Sequence, residues 1–92
     1  MSYNIYPALV YGDNVDHADN WEDESTLNIA NGNMYKLVET LGIKDLEHLP
    51  TTIRVITLRR ALKASKHTIY HERLGKICAR AEILKVPHIA FV

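Results

Sequence analysis

The run Leu27-Asn28-Ile29-Ala30-Asn31-Gly32-Asn33-Met34-Tyr35-Lys36-Leu37-Val38-Glu39-Thr40-Leu41-Gly42 constrains this chain more than any other. Met34, Leu37, Val38 and Leu41 stand at i, i+3, i+4 and i+7, a spacing that puts four apolar side chains on one helical face. Asn31 or Asn33 precedes the stripe as an N-cap, its side-chain oxygen taking a free N–H of the first turn. Gly42 follows it where a left-handed residue closes a helix. Together these predict a helix over 31–41, entered from an extended Leu27-Asn28-Ile29. The asparagines are open to a second reading as a polar contact site, but caps and backbone satisfaction explain them more simply.

The flanking stretches complete an α+β fold in one globular domain over residues 1–92. Tyr3–Tyr11 alternates like a strand, and Pro7, which cannot donate to a ladder, marks it as an edge strand or the start of one. Gly12-Asp13-Asn14 is turn chemistry. Residues 13–25 read as an acidic loop whose one large apolar side chain, Trp21, rests on the core. Ile43–Pro50 is a connector with a short 3₁₀ turn. Thr51 or Thr52 caps a second helix over 52–65, with Val55, Leu58, Ala61, Leu62 and Ser65 facing inward. A third helix runs over 67–85 on the stripe Tyr70, Leu74, Ile77, Cys78 and Ala81, and Pro87 stops it. His88–Val92 is a short strand that pairs with residues 5–11. The expected architecture is three helices packed on a small two-stranded sheet made by the N- and C-terminal strands.

Net charge is zero, but the sum hides a division. Residues 1–47 carry −7 and residues 48–92 carry +7. Such a chain can pair its halves internally, associate with itself through faces of opposite sign, or present both faces to partners. On the second helix Ile56, Arg59, Arg60 and Lys63 form a basic stripe opposite the apolar one. It is either a solvated face or a docking surface for an acidic partner or for phosphates. The acidic counterpart is Asp19, Glu22, Asp23 and Glu24 around Trp21.

Catalytic and metal chemistry find little support in the residues. An EF-hand starting at Asp13 would place Val15 where an oxygen ligand is needed and Ala18 where glycine is required, although Glu24 falls at position twelve. His67 and His71 sit at i, i+4, a spacing that can share a metal, but no glutamate lies between them and Cys78 is ~10 Å further along the axis. Packing and helix-start roles suit both histidines, and no cofactor is called for. Cys78, the single cysteine, falls on a core stripe where a thiol is inert. No glycine-rich phosphate loop is present, and a pI near 7 argues against general nucleic-acid binding. No apolar run is long enough to cross a bilayer, and the N-terminus has no secretory pattern.

Leu27-Asn28-x-Ala30-Asn31-x-Asn33-x-x-x-Leu37-Val38-x-x-Leu41-Gly42-Ile43 resembles a pattern, LNxANxNxxxLLxxLGL, in a family of small bacterial and phage proteins. Tyr70–Glu82 is similar to the C-terminal helix of those proteins, Tyr-x-x-x-Arg-Leu-x-x-Leu-x-x-x-Ala-Glu, with looser spacing, and a short Val-rich strand ends both. The likeness covers about half the chain and departs from it in the acidic loop and the basic middle helix. No activity is assigned to that family, so the resemblance implies no catalytic residues. It implies a prokaryotic or phage origin and a cytoplasmic location in a bacterial host. Residues and resemblance together lead to one expectation: a non-enzymatic, phage- or mobile-element-encoded protein that binds a protein of the host and inhibits a host process or defence system. The alternatives are a nucleic-acid module using the basic stripe and a metal-dependent enzyme using His67 and His71.

Overall fold

Ser2–Tyr11 forms one long strand, β1, and the sheet is assembled around it. The structure, a computed structural model, describes residues 2–21, 24–65 and 69–92. The chain continues through β2 (Asn14–His17), β3 (Leu27–Ala30), helix α1 (Asn31–Leu41), a 3₁₀ turn (Lys44–Glu47), β4 (Thr51–Arg54), α2 (Val55–Ala64), α3 (His71–Leu84) and β5 (His88–Phe91). All strand pairings are antiparallel, in the order β2-β1-β5-β4, with β3 also on β1. The expected two-stranded sheet is therefore corrected to a five-stranded one. The pairing of first and last strands lies at its centre, with Ile5 opposite Phe91 and Ala8 opposite His88.

Three local corrections account for the larger sheet. First, β1 is central rather than an edge. Its residues 2–5 pair with β3 and its residues 8–11 with β2 along the same side, while β5 takes the other side. A strand residue points its N–H and C=O to one side, and the Pro7 carbonyl accepts the Ala18 N–H at 2.9 Å. The N–H that proline lacks would therefore face the junction between β3 and β2, where no ladder partner is needed.

Second, part of the acidic loop is strand. Gly12, at φ 57°, turns β1 into β2 through a two-residue hairpin loop, and Val15 pairs with Val10. Third, Thr51-Thr52 does not cap α2. These residues belong to β4, β-branched and paired with Ala90 and Phe91, and α2 starts only at Val55. The third helix begins at His71 rather than 67; residues 66–68 lie outside the described ones.

The helices pack against one sheet face. Ile5, Leu27, Ile29, Ile53, Ile89 and Phe91 from the strands meet Met34, Leu37 and Leu41 of α1, Leu58 and Leu62 of α2, and Leu74, Ile77 and Cys78 of α3. The opposite face carries a separate small cluster, Tyr6, Ala8 and Ala90 with Val15, that contains no helical residue. Helix α1 has the bounds expected, and Gly42 closes it at φ 63° with its N–H on the Val38 carbonyl. The asparagines are not its caps. Ala30 occupies the N-cap position with no side-chain bond. Asn28 instead donates to Asn4 Oδ1 (2.8 Å) and Ser2 Oγ (3.1 Å) across the β1–β3 pair, and Asn33 donates to the Tyr70 hydroxyl at 3.2 Å.

Candidate functional site

Helix α2 buries Val55, Leu58, Ala61 and Leu62, which obliges Ile56, Arg59, Arg60 and Lys63 to face outward. The geometry divides this stripe. Arg59 grips Glu82 of α3 through two bonds, Nη2 to Oε1 at 2.7 Å and Nε to Oε2 at 3.2 Å. The shared hydrogen bonds raise the pKa of Arg59 and lower that of Glu82. On one side of this pair lies a cleft of about 380 Å³ lined by Arg59, Arg60, Leu62, Lys63, His71 and Gly75. On the other lies a cleft of about 420 Å³ lined by Arg54, Val55, Ile56, Arg59, Glu82 and Pro87. Ile56 is half exposed at 50%. Arg60 and Lys63 are exposed and have no carboxylate partner among the described residues. His71, the first residue of α3, lines the first cleft, and its buried Nδ1 has no hydrogen-bond partner among the described residues.

The acidic counterpart is arranged differently from the expectation. Asp19 is turned toward α3, where Arg80 Nε bonds its Oδ2 at 2.5 Å. That bond is the largest cause holding its carboxyl below the usual range. Arg73 Nη2 donates to the carbonyls of Thr26 (2.8 Å) and Glu24 (3.2 Å). The acidic half is thus tied to the basic half through α3, and Asp19 is not a free docking residue. Glu24 is exposed. Glu22, Asp23 and His67 lie outside the described residues.

Trp21 is not seated in the main core. It is 54% exposed and sets its edge against Tyr6 and His17, each with ring centroids 4.7 Å away, on the helix-free sheet face. Tyr6 and His17 stack at 4.5 Å, 8° from parallel. This aromatic trio was legible only as strand alternation putting Tyr6 beside Ala8; His17 joins it because the hairpin register sets it opposite Ala8. The Asp19 N–H donates to His17 Nδ1 at 2.9 Å, so the bonding pattern assigns the proton to Nε2, which donates to Thr26 Oγ1 at 2.6 Å.

Burial holds the His17 pKa below the ordinary imidazole value, with Asp19 pulling weakly the other way. The unfolded chain therefore binds this proton more readily than the fold does. Stability should be fully present near pH 8 and decline as pH falls through the unfolded value, ~6.5. Asp19 and Glu82, both depressed, add a further loss only below about pH 4. Thermal melts from pH 8 to 5 should show a shallower decline for His17→Gln, which keeps a donor for Thr26. Parallel curves for variant and wild type would exclude His17 as the titrating group.

Cys78 is fully buried, and burial pushes its thiol up to about 11, which keeps it protonated at neutral pH. Among the described residues no three histidines, cysteines or carboxylates are placed to hold a metal, and no helix is long and apolar enough to cross a membrane. Comparison of the chain with protein-family models, with curated proteins and with solved structures gave no match.

Proposed function

We propose that the protein is a non-enzymatic binding protein that captures an acidic segment of another protein in the cleft between α2 and α3. The observation that carries this reading is the lining of that cleft: among the described residues Arg60 and Lys63 have no ion-pair partner, Arg59 is held beside them by Glu82, and no carboxylate lines the wall. Arginine next to apolar surface, here Leu62, is the composition that dominates binding energy at protein interfaces. The blocks at 27–43 and 70–82 that resemble small bacterial and phage proteins support a bacterial host protein as the partner, in the cytoplasm, with inhibition of a host process as the consequence.

The double variant Arg60→Glu/Lys63→Glu tests the reading. Reversing two charges against an acidic partner should weaken capture from host lysate by at least ~30-fold. Both residues are exposed, so the thermal midpoint should move little, by about 0.5 kcal/mol of stability per site at most. Undiminished capture by a folded double variant would remove this cleft as the docking site.

A further inference from the structure

We propose that the acidic group taken by the α2–α3 cleft is a phosphorylated side chain of the partner, with an apolar side chain of the same peptide resting over Ile56. This rests on the reading that the cleft is the docking site, and names what enters it.

The charge count favours phosphate over carboxylate. Arg59, Arg60 and Lys63 line the cleft, and Glu82 neutralises Arg59 from outside it, leaving two uncompensated cations. A carboxylate brings one charge and two oxygens. A phosphomonoester brings about −1.5 to −2 charges and three acceptor oxygens. Two cationic donor groups have no hydrogen-bond or ion-pair partner among the described residues, the Arg60 guanidinium and the Lys63 ammonium. Between them they carry enough N–H donors for three oxygens. His71 and Gly75, one turn apart on α3, form the far wall.

A peptide fits the surroundings better than a nucleic-acid strand. The basic track is interrupted past the cleft: Arg59 borders both clefts and Arg54 lines the second, but Glu82, the half-exposed Ile56 and Pro87 lie between and beside them. Ile56 and Arg60 are one helical turn apart, ~6 Å, which is about the span of two extended peptide residues. The occupant is therefore a phosphoserine or phosphothreonine with an apolar residue two positions away.

Gly75 supplies a variant that blocks the cleft without disturbing the fold. A Cβ added there meets nothing within 4 Å, and an interior helical glycine is replaced by a better helix former. Gly75→Glu should melt at or above the wild-type temperature while placing a carboxylate on the cleft wall. The probes are three labelled degenerate peptide pools with leucine fixed two positions from phosphoserine, glutamate or serine, read by fluorescence polarisation at physiological salt. The phosphoserine pool should bind at least tenfold more tightly than the glutamate pool, lose that advantage in Gly75→Glu, and weaken several-fold in Ile56→Ala. Equal binding of the phosphoserine and glutamate pools would overturn the proposal. So would unchanged binding in folded Gly75→Glu, or tighter binding of a single-stranded oligonucleotide or of phosphatidic-acid vesicles. If Arg60→Glu/Lys63→Glu loses the lysate partner while the pools show no phosphate preference, the phosphate assignment alone fails; if the double variant keeps that partner, the docking site fails with it.

Discussion

Replacing Phe91 by alanine is expected to cost ~3–5 kcal/mol, the range for truncating a large aromatic in a packed core. Phe91 is fully buried and stands between two strands, opposite Ile5 of β1 and Thr51 of β4. Its ring therefore joins the sheet centre to the α1–α3 core in one place. A domain of this length has roughly 5–14 kcal/mol in total, so the loss would bring the fold close to its limit. Val92, the next residue, is the control. It is partly exposed, and its N–H bond to the Asn4 carbonyl survives any side-chain change. Val92→Ala should cost less than ~1 kcal/mol. Urea denaturation gives both numbers; a Phe91→Ala penalty below ~1.5 kcal/mol would mean that β5 is not the element that closes the core.

The elements most readable from sequence were those whose local chemistry and tertiary role agree. Helix α1 has its apolar stripe and a glycine in the left-handed region, so the period places the helix and Gly42 its C-terminal end. β4 was hidden because Thr51-Thr52-Ile53-Arg54 runs into Val55 with no glycine or proline between, and threonines before an apolar stripe look like caps. Only the partner strand β5 separates the two. β2 was hidden for the opposite reason. Asn14-Val15-Asp16-His17 has one apolar side chain, enough for an edge strand that rests on Val10 but too little for an alternation signal. Pro7 misled because its rule concerns a missing donor, and the place where β1 changes partners satisfies that rule inside the sheet.

The site shows the same division. The inward and outward faces of α2 follow from a 3.6-residue period, and the structure leaves Arg60 and Lys63 outside as that period demands. What the period does not encode is the neighbour. Glu82 fixes Arg59 and separates Ile56 from the other cations, and Arg80 turns Asp19 inward, so two faces of opposite charge become one basic cleft and one acidic segment held by α3. The asparagines show this most directly. Asn28 and Asn33 bond to Asn4 and Tyr70, 24 and 37 residues away in the chain, and not to the helix end beside them.

The helix-free sheet face predicts the second large effect. Tyr6→Ala is expected to cost about 3 kcal/mol or more. Tyr6 is 3% exposed although no helix covers it; His17 and Trp21 shield it. Removing the ring takes away the stack beneath His17 and the edge contact of Trp21 together, and leaves Ala8 and Ala90 facing water. Trp21 is the only tryptophan, so its emission reports this cluster directly and should shift to the red in Tyr6→Ala before any global unfolding. Tyr6→Phe separates ring from hydroxyl. Burial first, and Asp16 second, raise the pKa of the Tyr6 hydroxyl, so it stays protonated at neutral pH and carries no charge to lose. The phenylalanine variant should thus remain within ~1 kcal/mol of wild type with unshifted emission. His17 links this to pH. With the stacked ring gone its imidazole is hydrated and its pKa returns toward the ordinary value, so Tyr6→Ala should also lose less of its remaining stability between pH 8 and 5. Emission and pH dependence that both stay at wild-type values in Tyr6→Ala would show that Trp21 and His17 are held by something other than this ring.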